Sequence, residues 1–122
     1  DFSFSRSLSE GLCESGSYGH KNLVATSHES SESVLSVYRN SADNIAVLKS
    51  RGVTVLHGVD ATDLKSSIIP ACQDSYLHSF DAIVWNFPCI SAKDGADAQA
   101  DEIEANQRLL TGFFTNVSDL LC

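Results

Sequence analysis

The sequence has no methionine, only two prolines and seven glycines, and half as many basic residues as acidic ones. So little proline and glycine excludes a collagen-like or low-complexity chain. Eight Lys plus Arg against sixteen Asp plus Glu leave a net charge of −8 and a pI near 4.7. That balance argues against an autonomous nucleic-acid binder, because clustered Lys and Arg carry phosphate affinity. It argues equally against docking on an anionic membrane. No apolar run approaches the ~18 residues needed to span a bilayer. The start, Asp1-Phe2-Ser3-Phe4-Ser5-Arg6, lacks the basic patch and apolar stretch of a signal peptide. Among Cys13, Cys72, Cys89 and Cys122 there is no C-x-x-C pair, and no His lies at zinc-ligand spacing. The expectation is four reduced thiols, no metal and an intracellular location. With no methionine and an apolar run, Leu120-Leu121-Cys122, at its end, the sequence reads as a segment cut at both edges.

What remains is ordinary globular protein. The 122 residues are 43% apolar and 20% charged, enough for one domain with a real core. Phe4, Leu8 and Leu12 recur at i, i+4 and i+8, one stripe of a helix that Asp1 and Ser3 can cap. Asn22 to Ser27 reads as a short buried strand. Ser30 and Ser31 are N-cap candidates for the next helix, with Glu32 in its first turn and Val34, Leu35, Val37 and Tyr38 as its apolar face. A further helix starts at Asp43 and ends at Arg51-Gly52, a good C-terminal signal. Val53 to Val59 is a β-branched strand. Ala61 to Ile69 is a short helix or turn that Pro70 stops, and Phe80 to Phe87 is a nearly continuous apolar strand. Residues 89–102 are a loop, and Ile103 to Leu121 form a long helix. Alternating helices and strands predict an α/β fold with a parallel sheet flanked by helices. Asn116-Val117-Ser118 matches a glycosylation sequon, a common chance occurrence.

In an open parallel sheet, ligands bind beyond the carboxyl ends of the strands. Three such ends carry Ser27-His28-Glu29, Gly58-Val59-Asp60-Ala61 and Asn86-Phe87-Pro88-Cys89. An acid after the second strand of a nucleotide-binding fold can accept both ribose hydroxyls. Asp60 could accept from an exocyclic amine. Asn86-Phe87-Pro88 joins an amide that donates and accepts to an aromatic ring and a rigid turn, which suits a flat base. Each has a plainer reading. Glu29 is also ordinary charge at a helix N-terminus, Asp60 could cap the turn at Ala61-Thr62, and Asn86 could satisfy a turn before Pro88. His57 reads as structural, and Trp85, Phe2 and Phe4 as core.

Several of these segments resemble, in order, the 25S rRNA (uridine-N(3))-methyltransferase-like family. Asp1-Phe2-Ser3-Phe4-Ser5 is similar to the end of that family's G-E-G-D-F-S-F-S motif. Asn22 to Ser27, His57 to Thr62, Phe80-Asp81 through Asn86-Phe87-Pro88, and Asn106 with Leu109-Leu110 and Phe113-Phe114 follow in sequence. The resemblance spans nearly all of residues 1–122 and implies a single, partial, Rossmann-like class I methyltransferase domain. Its first strand, its Gly-rich loop and its C-terminal strands would lie outside. It implies S-adenosylmethionine as cofactor and methyl transfer to a uridine ring nitrogen of large-subunit rRNA, with a nucleolar location. Asp1, Phe2 and Ser3 would belong to the cofactor loop, Glu29 would hold the ribose in place of the family's usual Asp, and Asp60 would lie by the adenine. Asn86, Phe87 and Pro88 would form the target-base motif, although Cys89 stands where the family has His. Any rRNA contact would come through regions outside this sequence. The missing glycines and Cys89 support an alternative, a non-catalytic methyltransferase-like domain acting as a structural or interaction subunit of a larger complex. In either case a neighbour or further residues would cover the exposed sheet edge.

Overall fold

The computed structural model describes residues 1–16, 22–72, 79–86 and 98–122. The chain divides into two compact units, Asp1–Val59 and Asp60–Cys122. The fold is mixed α/β, with helices around a small parallel sheet.

The first unit runs α1 (Ser3–Glu14), β1 (Val24–Thr26), α2 (Ser31–Val37), α3 (Ser41–Ser50) and β2 (Thr54–Leu56). The two strands pair in parallel, Val24 opposite Thr54, Ala25 opposite Val55 and Thr26 opposite Leu56. Parallel neighbours need a long crossover, which α2 and α3 supply. Ser30 caps α2 by accepting from the Ser33 N–H at 3.1 Å, as its position in the sequence predicts. α3 ends in a Schellman motif. Gly52, at φ 78°, donates to the Lys49 carbonyl at 3.0 Å, and the Val53 N–H reaches the Leu48 carbonyl at 3.1 Å. A left-handed C′ residue favours glycine, and the buried Leu48 and Val53 supply the motif's apolar contact. The core of this unit is Phe2, Ala25, Val34, Ile45, Leu48 and Val53.

α1 departs from its expected packing. Phe4 of the apolar stripe is 49% exposed, whereas Ser9 is fully buried. The reason is a polar seam against α3. Arg51 Nη1 donates to Ser9 Oγ at 2.8 Å, and Ser9 Oγ donates to the Arg6 carbonyl at 2.7 Å. Glu10 accepts from both Arg6 and Arg51, at 3.3 and 3.4 Å. On α2, Val34 is buried but Leu35 and Val37 are exposed, while Tyr38, just past the helix end, packs against the core.

The second unit holds α4 (Leu64–Cys72) and α5 (Ala98–Val117). α4 continues through Pro70 for two residues rather than stopping there. A proline in the last turn removes one ladder hydrogen bond and leaves little helix beyond it to lose. Among the described residues, the expected strand from Phe80 to Phe87 is reduced to a single parallel bridge between Phe80 and Leu121. A strand needs a partner ladder; residues 81–86 are in no strand, and Val84 is 62% exposed. Trp85 is half-buried, its ring 4.7 Å from that of Phe113.

α5 meets the turn before α4 at close range. Asn116 Nδ2 donates to the Thr62 carbonyl and, at 2.9 Å, to the Gly112 carbonyl. The sequon asparagine is therefore committed to structure. A Cβ at Gly112 would lie 2.9 Å from Thr62 Cβ and 3.0 Å from its Cγ2. Alanine there gains about 1 kcal/mol of helix propensity, and overpacking costs about 1–3 kcal/mol. Gly112→Ala is accordingly expected to lower stability by about 1 kcal/mol in urea unfolding. Thr62→Ala should not restore it, because the clash is with Cβ itself.

Candidate functional site

The first group of expected site residues lies where α1 begins. Phe2 precedes the helix with φ 63° and ψ 13°, the left-handed region, and is the only non-glycine among the described residues with positive φ. For an L-residue this costs roughly 1–2 kcal/mol. Burial of the ring offsets it: Phe2 is 6% exposed and meets the His57 ring edge-on, centroids 5.5 Å apart. Asp1 Oδ1 accepts from the Ser3 N–H at 3.0 Å and from Ser3 Oγ at 2.8 Å, closing a turn ahead of the helix, whose N-cap position is Phe2 rather than Asp1 or Ser3. From α3, Asn44 Nδ2 donates to the Asp1 carbonyl at 2.9 Å.

The second group lies beyond the strands. The Ser27 N–H extends the pairing to the Leu56 carbonyl at 3.0 Å, and the Ser27 carbonyl accepts from Val59 at 2.9 Å. Glu29 is fixed by its backbone at both ends. Its N–H donates to Ser27 Oγ at 3.1 Å, and its carbonyl accepts from Gly58 at 3.1 Å. Gly58 sits at φ 69°, which lets the chain after β2 turn toward β1. The Glu29 carboxylate is half-buried and accepts from Ser33 Oγ at 3.3 Å. The Glu29 carboxylate facing the Tyr38 hydroxyl favours the protonated phenol and raises that group above its ordinary value. His57 follows β2 directly, and its Nδ1 is buried with no hydrogen-bond partner. Glu29 and His57 thus lie beyond the carboxyl ends of β1 and β2, and the Phe2 ring packs against His57.

Asp60 and Asn86 belong to the second unit. Asp60 takes its plainer role in full: Oδ1 accepts from the Thr62 N–H at 2.8 Å and from Thr62 Oγ1 at 2.7 Å. These bonds hold its carboxyl below the ordinary range. Asn86 is exposed. Phe87, Pro88 and Cys89 lie outside the described residues. An open groove of about 360 Å³ lies in this unit, lined by Thr62, Ala105, Arg108 and Leu109, with the Arg108 guanidinium paired to Glu104. Among the described residues no cluster of His, Cys, Asp or Glu could hold a metal ion, and no helix is long and apolar enough to cross a membrane.

Sequence reading missed Asn44 and Tyr38 and gave His57 no role at the strand ends. For Asn44 a signal existed. Ser41, Asn44, Ile45 and Leu48 fall at i, i+3, i+4 and i+7 and are all buried. A polar amide inside such a stripe must have buried partners. For Tyr38, nothing in the sequence marks a hydroxyl that turns back to Glu29.

A family profile described as rRNA (uridine-N3-)-methyltransferase BTM5-like matches residues 1–122. Heavy metal-associated isoprenylated plant protein 41 of Arabidopsis thaliana is 36% identical over 121 residues, 99% of this chain and 21% of that protein. An uncharacterized Arabidopsis thaliana protein is 30% identical over 99% of this chain and 54% of its own length. Ferredoxin-fold anticodon-binding domain-containing protein 1 homolog of Mus musculus is 34% identical over 99% of this chain and 17% of its length. The chain therefore spans about half, or about a fifth, of the relatives it matches. No solved structure matches.

The Asp60 turn carries a pH dependence. Its folded value lies below the unfolded one, so its contribution is present above the unfolded value and is lost as pH falls through the folded one. Asp60→Ala should cost about 0.5–1 kcal/mol at pH 7. In thermal unfolding from pH 7 to pH 2, the gap between variant and wild type should close below about pH 4.

Proposed function

This chain belongs to the BMT5-like family of rRNA methyltransferase-like proteins, and we propose that it forms part of a Rossmann-like domain that binds S-adenosylmethionine for methyl transfer to a uridine ring nitrogen of rRNA. One observation carries the reading: the Glu29 carboxylate stands beyond the carboxyl end of a parallel strand pair, its backbone tied to both strand ends. That is where open α/β sheets bind nucleotides. An ionised carboxylate is acceptor-only, so it suits a ribose diol. The Asp1–Ser3 turn, with its left-handed Phe2, carries backbone strain of the kind that clusters at ligand-binding sites. These residues fit the cofactor's ribose end.

S-adenosylmethionine would supply an electrophilic methyl group. The work of residues 1–59 is then binding and orientation. Glu29 accepts from the ribose hydroxyls. Ser33 fixes the direction of its carboxylate. The Asp1–Ser3 turn limits where the rest of the cofactor can lie. Much of a methyl-transfer rate comes from such alignment. Asp60, Asn86, Phe87 and Pro88 enter this reading through the resemblance of their motifs alone. RNA would be held by residues outside 1–122, and further chain or a protein neighbour would cover the outer edges of the sheet.

Titration of the full-length protein with S-adenosylhomocysteine in a calorimeter tests the proposal. Wild type should bind, and Glu29→Gln should weaken binding by about 10- to 100-fold, as expected for a hydrogen bond to a charged group. Mass spectrometry of large-subunit rRNA from cells lacking the protein should then show loss of a 3-methyluridine. Absence of binding by folded wild type would overturn the cofactor reading and favour the scaffold alternative.

A further inference from the structure

We propose that Asn44 is the positioning residue for the Asp1–Ser3 turn, fixing its shape before any ligand arrives; the cofactor side of this inference rests on the function proposed above. Asn44 is 5% exposed, so its amide must be satisfied inside the protein. It donates through Nδ2 to the Asp1 carbonyl at 2.9 Å and accepts through Oδ1 from Arg6 Nη1 at 3.2 Å. Chemistry forces this orientation. A carbonyl only accepts and a guanidinium only donates, so the amide oxygen must face Arg6 and its NH₂ must face Asp1.

Neither Asp nor Leu could serve both partners. Arg6 is itself oriented by Asp43 at 2.6 Å and by Glu10, so the amide is held from behind. The Arg6 N–H donates to the Phe2 carbonyl at 3.0 Å. The strained residue is therefore gripped on both sides, by Asn44 through Asp1 and by the first helical hydrogen bond. Left-handed Phe2 sits in a narrow basin and persists only when its surroundings determine it. Releasing the Asp1 carbonyl would let the turn relax into the broad β or α regions.

The full-length protein carries the test in three variants. Asn44→Asp keeps the volume and the Arg6 partner but removes the donor. Asn44→Leu removes both partners at similar size. Ser41→Ala is the control: it removes a buried hydroxyl on the same helix that bonds to the Val34 and Tyr38 carbonyls at 3.0 and 2.8 Å, away from the turn. Both Asn44 variants should weaken S-adenosylhomocysteine binding about tenfold, the loss of roughly one hydrogen bond's worth of preorganisation. In turnover, KM for S-adenosylmethionine should rise while kcat at saturation holds. Amide hydrogen exchange at Ser3 should accelerate in both, whereas Ser41→Ala should lower Tm and leave affinity and Ser3 exchange unchanged.

Wild-type affinity and Ser3 protection in folded Asn44→Asp would overturn the proposal. So would an equal loss of affinity in Ser41→Ala. If wild type does not bind the cofactor product, the cofactor reading fails, and Ser3 exchange, which needs no ligand, still decides whether Asn44 holds the turn.

Discussion

Ser27 donates its N–H to the Leu56 carbonyl and offers its own carbonyl to Val59, while the Glu29 carbonyl takes the Gly58 N–H. These three bonds continue the pairing of β1 and β2 past the point where the strands end. Strands of three residues offer few ladder bonds of their own, and the crossover between them is long. Fastening the segments beyond the strands brings Glu29 and His57 to one place and gives Phe2 a ring to pack against.

The attachment of α1 to α3 follows a different logic. Their seam is built from Ser9, Glu10, Arg6, Arg51, Asp43 and Asn44 rather than from interlocking aliphatics. Exposed ion pairs are each worth little. Their value here lies in geometry: guanidiniums donate in fixed directions, so a short network can specify how a helix start is aimed. Asp43 and then Glu10 stabilise the charged form of the Arg6 guanidinium.

Much of the first unit was legible from residue patterns. Ser30 as N-cap and Gly52 as C′ residue follow from rules that act over one turn, and such rules rarely depend on the rest of the fold. The parallel strands followed from alternation of helix and strand. The Phe4–Leu8–Leu12 stripe misled because helical spacing shows which residues share a face, not which face the neighbour takes. The apolar run after Phe80 misled for a related reason: composition favours a strand, but a ladder partner must exist, and the described one ends at Leu121. Glu29, Phe2 and Asp60 could be singled out by their position after strands or in a motif. The amide of Asn44 could not be paired with Asp1, because a contact across forty-three positions leaves no local trace.

The ion pairs also bear on how these residues would meet a polyanion. Arg6, Arg51 and Arg108 each face a carboxylate within the protein. A guanidinium already matched in this way displaces few counterions when a phosphate comes near, and counterion release is what steepens the salt dependence of nucleic-acid binding. Three of only eight basic side chains are held so. These three side chains would therefore add little slope to a plot of log affinity against log salt. Whatever steepness a complete rRNA-binding protein shows would report on its other cations.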